Sequence, residues 1–112
     1  NKLSYPKKDL VDALSRLSIF TDETERIVMS VEGIDCDMNA VNEDFGNEGS
    51  EVMSIVNEEG VSIKFGLKHS VIRKVCANIP TDNVEIKISD RLAFFRAENR
   101  KDILWMTGLS II

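Results

Sequence analysis

The sequence predicts an α+β domain in which one β-α-β-β-β unit is used twice, giving a pseudo-twofold body with two helices side by side. Three observations carry this. First, Lys2-Leu3-Ser4-Tyr5 runs into a helical pattern from Lys7 to Leu14, and Ser62-Ile63-Lys64-Phe65 runs into another from Leu67 to Val75. In that alignment Tyr5 answers Phe65, Lys8 answers Lys68, and Leu14 answers Val75 with one residue inserted. Second, each copy is followed by segments alternating apolar and polar residues, the period of a half-buried strand. Third, Asn57-Glu58-Glu59-Gly60 is the clearest turn in the chain and divides it into halves of about 1–57 and 58–112.

Residues 2–5 read as a short strand, and Pro6 suits a first helical turn because its missing N–H has no partner there. The first helix is expected to run to about Ser18, burying Leu10, Ala13, Leu14 and Leu17 and presenting Lys8, Asp12, Ser15 and Arg16 on the opposite face. Strands follow at Glu25–Val31, at Ile34–Ala40 after a Glu32-Gly33 turn, and at Glu51–Val56 after a polar loop over 42–49. Val61, Ile63 and Phe65 alternate into Gly66. The second helix then buries Val71, Ile72, Val75, Cys76 and Ile79, shows Ser70, Arg73, Lys74 and Ala77, and is stopped by Pro80. Strands at Val84–Ile88, Leu92–Ala97 and Ile103–Met106 precede an apolar tail, Leu109 to Ile112.

At 112 residues the chain is expected to be one domain, and its start at Asn1 rather than Met suggests a piece of a longer multi-domain protein. No apolar run approaches the ~20 residues that cross a bilayer, and no secretory leader is visible. Cys36 and Cys76 read as buried free thiols of a reducing compartment, since no Cys-x-x-Cys spacing is present. The net charge of −5 argues against a nucleic-acid binder, but its distribution is uneven. Residues 22–59 hold twelve of the nineteen acids and one base, Arg26, whereas 67–79 holds Lys68, Arg73 and Lys74 and no acid. Such a molecule can still hold a polyanion against its helices.

Clustered chemistry is absent from the pattern. Asp35, Asp37 and Asn39 have the spacing of the first ligands of a calcium loop, but Ala40 and Gly46 stand where that loop needs Gly and Glu, so a strand face is expected instead. His69, the single histidine, reads as a surface or helix-start residue; no nucleophile-elbow motif surrounds any serine, which leaves a hydrolase reading without support. The six glycines read as isolated turn residues rather than a phosphate loop. No catalytic residue, metal or cofactor is therefore expected. The exposed helix faces, basic and otherwise small, suit phosphate contacts that do not read bases.

Three stretches resemble the bacterial DNA polymerase sliding clamp, in particular the third domain of its beta subunit. They are Leu3-Ser4-Tyr5 through Ser18-Ile19-Phe20-Thr21-Asp22-Glu23, Ile63-Lys64-Phe65-Gly66 into the second helix, and Val84 to Asp90 with Ile103-Leu104-Trp105-Met106. The order and spacing of all elements, rather than one motif, carry the resemblance. It implies a processivity-clamp domain of two helices packed on two antiparallel sheets. Six such domains would close a cytoplasmic ring, as two three-domain subunits, with helices lining the hole. The DNA-facing residues would be Lys8, Arg16, Lys68, Arg73 and Lys74, meeting duplex DNA without sequence specificity.

The resemblance also implies a pocket for short peptides of polymerases and clamp loaders, with Leu92, Leu104, Met106 and Thr107 as its residues here. Thr107 stands where the family has proline, Phe94 where it has a small residue and Gly66 where it has asparagine, the marks of a divergent or phage-type clamp. The alternative is a clamp-like interaction module that binds partner peptides without DNA contact.

Overall fold

The computed structural model describes residues 2–42, 46–98, 104–108 and 110–111. In chain order these form β1 (Lys2–Pro6), α1 (Lys7–Leu17), a single 3-10 turn (Ser18–Phe20), β2 (Arg26–Glu32), β3 (Asp35–Asn42), β4 (Asn47–Ser54) and β5 (Ser62–Lys68). Then come α2 (His69–Ala77), β6 (Asn83–Ser89), β7 (Leu92–Ala97), β8 (Leu104–Gly108) and β9 (Ser110–Ile111). Two antiparallel sheets result, one ordered β1-β6-β7-β8 and the other β4-β3-β2-β5-β9.

The sheets do not correspond to the two halves of the chain. β1 pairs with β6, Leu3 opposite Ile86 and Tyr5 opposite Val84, so the first strand of the first half belongs to the sheet of the second. Reciprocally, β5 pairs with β2, from Arg26 opposite Lys68 to Glu32 opposite Ser62. The sheets match under the repeat: β1 corresponds to β5, and β6, β7, β8 to β2, β3, β4. The outer edges of the exchanged strands are covered in matching ways. Ser4 and Val56 exchange backbone bonds of 2.9 and 3.0 Å beside β1, and β9 lies beside β5 with Ile111 opposite Phe65. Covering an edge satisfies its N–H and C=O groups and removes a template for aggregation.

The core fills the space between helices and inward sheet faces. Leu10, Ala13, Leu14 and Leu17 of α1 are buried, as the helical stripe predicts. Tyr5 and Phe65, equivalent in the repeat, are both fully buried. Tyr5 spans the core: its hydroxyl lies 3.3 Å from Cys36 Sγ on the other sheet. Burial holds the Tyr5 phenol well above its ordinary value. Burial likewise pushes the thiols of Cys36 and Cys76 up to about 11, so both are unreactive at neutral pH. Asn57 ties the central turn, donating to the carbonyls of Gly33 at 2.8 Å and Val61 at 2.9 Å.

Several expectations shift. Leu67 and Lys68 belong to β5, not to the second helix, because Leu67 is buried opposite Ile27 and keeps the ladder going to Lys68. Ile79 is buried beyond the helix end, Val71 is only half-buried, and Ile34 sits exposed in the turn rather than on the apolar side of β3. β4 begins at Asn47, inside the segment expected to be loop, because its ladder with β3 runs on to Asn42 opposite Asn47, and Gly49 is a packing glycine there: a Cβ would lie 2.5 Å from the Phe20 ring. Gly66 and Gly108 are also strand residues rather than turn residues. Ser110 and Ile111 form a strand where only an apolar tail is expected, and Ile103 and Ile112 lie outside the described residues.

His69 opens α2 as expected but is buried, not on the surface. Its backbone N–H donates to the Glu25 carbonyl at 2.9 Å. Thr21 spends its hydroxyl proton on the Ser18 carbonyl at 2.9 Å. The 3.3 Å contact between Thr21 Oγ1 and His69 Nε2 therefore requires Nε2–H to donate, leaving Nδ1 as a buried lone pair with no partner among the described residues. Protonating Nδ1 would bury a charged donor, and burial, reinforced by Arg73 and opposed by Glu25, lowers the imidazole pKa.

Two outcomes follow. Gly49→Val should cost about 1–3 kcal/mol by overpacking against Phe20, and the cost should shrink in a Phe20→Ala background, measured by urea unfolding. Because the unfolded chain takes up a proton before folded His69 does, stability should fall as pH drops below about 6.5. His69→Gln should flatten that part of the stability–pH curve.

Candidate nucleic-acid interface

α1 and α2 lie side by side and antiparallel. The link at one end is Lys7, whose Nζ donates to the Ile79 carbonyl at 2.6 Å, just past the end of α2. Carbonyls at a helix C-terminus lack intrahelical partners and carry partial negative charge, so an ammonium there is favourable. The Lys7 backbone N–H is satisfied by the Asp82 carbonyl at 2.8 Å. Between the helices runs a groove lined by Lys7, Lys8, Val11, Asp12, Arg73, Cys76 and Ala77. Its floor is small or apolar, and its basic groups outnumber the one carboxylate.

The five basic residues expected to face DNA do not form one set. Lys8 and Arg73 line the groove from opposite helices. Lys74 is exposed on α2 beside Arg73. Arg16 stands near the other end of α1 and makes a two-pronged bond to Glu51 of β4, with Nε and Nη2 each 2.8 Å from a carboxylate oxygen. That bond, its first cause, raises the Arg16 pKa and lowers that of Glu51. A phosphate would have to compete with a partner already in fork geometry. Lys68, the last residue of β5, lines a separate groove with Thr24, Arg26, Gly66 and Thr107. There the Arg26 side chain packs across Gly66, so closely that a Cβ would sit 2.6 Å from Nε.

Lys7 and Glu25 are the groups sequence reasoning passes over. Glu25 anchors the start of α2 from outside the helix, its carbonyl on the His69 N–H and its carboxylate accepting from Ser70 Oγ. The Ser70 bond is the main cause of its lowered pKa. Nothing in the residue order marks it, because its partners lie more than forty residues away.

The proposed peptide-pocket residues divide as well. Leu92 and Met106 are exposed on the outward face of the β1-β6-β7-β8 sheet, with Phe94, opposite Met106, between them. Thr107 is opposite Ala93 and so belongs to the other face of β8 from Met106. Leu104 is opposite Arg96 in register, and its side chain lies outside the described residues.

No protein-family model matches the chain, and no curated protein matches it by sequence. Solved structures do match. The DNA polymerase III beta subunit of Pseudomonas aeruginosa superposes over 99% of this chain and 31% of its own, with TM-score 0.91 and 19% identity. A Pseudomonas aeruginosa sliding clamp bound to griselimycin covers 100% of this chain and 31% of its own, at TM-score 0.90 and 21% identity. The Caulobacter crescentus sliding clamp covers 99% and 30%, at TM-score 0.88 and only 12% identity. The chain thus spans about a third of the length of these proteins, and it has the fold of a single domain of a bacterial DNA polymerase sliding clamp.

Proposed function

We propose that the chain is one domain of a ring-forming, non-enzymatic processivity clamp that encircles duplex DNA and tethers a polymerase. The observation that carries this reading is the inter-helix groove, where Lys8 and Arg73 meet beside Lys74 in a chain whose net charge is −5. Phosphate attraction needs only a local excess of cation on the surface facing the duplex. In a closed ring, topology supplies retention, and individual contacts can be weak and salt-sensitive.

Ring assembly is supported by the free edge of the larger sheet. Among the described residues β4 has a partner on one side only, and beside it stand Phe20, packed on Gly49, and Ile19, which is 76% exposed. An edge strand beside an exposed aliphatic residue suits docking against a neighbouring domain. Leu92 and Met106 support a second role in the same protein, holding an apolar partner segment, as polymerase and clamp-loader peptides would offer.

Light scattering of the full-length protein should give an assembly holding six such domains; a monomer with one would overturn the ring. In the full-length protein, Arg73→Glu with Lys74→Glu should weaken retention on duplex DNA and reduce the slope of log affinity against log salt by roughly two. Unchanged retention would favour the peptide-binding module without DNA contact. The 112-residue segment alone should show no measurable duplex retention at physiological salt, because one domain cannot close a ring.

A further inference from the structure

The outward face of the β1-β6-β7-β8 sheet carries a cleft of about 350 Å³ lined by Lys2, Glu85, Lys87, Ser89, Phe94 and Arg96. It lies away from the helix groove and on the far side of Phe94 from Met106, since Phe94 is opposite Lys87 on one side and Met106 on the other. Its charges are arranged at a cost. Lys2 and Lys87 are direct cross-strand partners, a like-charge pairing that destabilises a sheet.

The one carboxylate in the cleft among the described residues does not resolve this. Glu85 is buried, with Arg96 Nε 2.6 Å from one oxygen and Lys2 Nζ only at 3.7 Å from the other. No carboxylate among the described residues pairs with Lys87. Among the described residues, three cations face one committed anion, and they leave a positive rim around a half-buried aromatic ring.

We propose that this cleft docks an acidic peptide segment of a partner protein, with carboxylates on Lys87 and Lys2 and an intervening apolar side chain on Phe94. Charge complementarity selects the occupant: bound carboxylates relieve the Lys2–Lys87 repulsion, and an apolar group covers the ring. A peptide is favoured over a nucleic acid because nucleic-acid affinity is built on many neutralised phosphates, and the cleft offers two lysines beyond the Glu85–Arg96 pair. A peptide alternating acidic and apolar residues places its charges at the rim only. The site would read the face of the sheet rather than add a strand, because the edge of β1 is already bonded to Val56.

The test is fluorescence anisotropy on the full-length protein with a short labelled peptide alternating Asp and Leu. Its Asn-and-Leu counterpart and an oligothymidylate serve as comparison probes. The Asp peptide should bind, Lys87→Glu should weaken it about tenfold, and Lys87→Arg should retain it. Lys64→Glu, on the outward face of the other sheet, should leave binding unchanged. Both Lys2 and Lys87 are exposed, so these variants should keep the fold, checked by circular dichroism. Equal binding of the Asn peptide, indifference to Lys87→Glu, or displacement of the Asp peptide by the oligothymidylate would each overturn the proposal.

Discussion

The exchange of first strands between the two halves is the constraint on which this molecule depends. β1 completes the sheet made by β6, β7 and β8, and β5 completes the one made by β2, β3 and β4. Because α1 follows β1 directly and α2 follows β5 directly, the exchange also decides where the helices begin. It brings them side by side, related by the symmetry of the repeat and running in opposite directions. The groove between them is thus a product of sheet topology. Its cations come from both halves of the chain, Lys8 from one and Arg73 from the other.

Electrostatics is sorted by face rather than by sequence. Asp35 and Asp37 of β3 lie in a groove on the outward face of the larger sheet with Glu32 and Val52. The helix groove and the cleft beside Phe94 are instead basic. The sign of the surface potential thus changes from one face to the next, although the chain as a whole carries a net charge of −5. Arg16 shows how finely that sorting is done, since Glu51 removes one cation from the helix surface through paired 2.8 Å bonds.

Element type and order were legible in the residues because the burial periods are clean. The stripe of Leu10, Ala13, Leu14 and Leu17 is buried as its spacing requires, and β7 runs over the residues its alternation marks out. What periodicity cannot carry is partner choice, so nothing in Lys2–Pro6 announced that its ladder would be β6. Ambiguity at Leu67 and Lys68 had a local cause, since a buried leucine followed by an exposed lysine fits a strand end and a helix start equally well. The glycines misled for a related reason: Gly49 and Gly66 make room for Phe20 and Arg26, neighbours that only the folded chain supplies. The positions of Lys8, Arg73 and Lys74 on the outer sides of their helices were readable from helical periodicity. The fates of Arg16 and Thr107 turned on a distant carboxylate and on strand parity.

The strand exchange has a further consequence for the order of events at the ribosome. A growing chain that has emerged only as far as Ser54 holds β2, β3 and β4, but one side of β2 stays bare until Ser62–Lys68 appears. β1, made first, waits still longer, for Asn83–Ser89. The first half cannot be finished before the second has started, so the domain is completed late in its own synthesis. Until then it exposes the unpaired strand edges that make partly folded chains prone to aggregate.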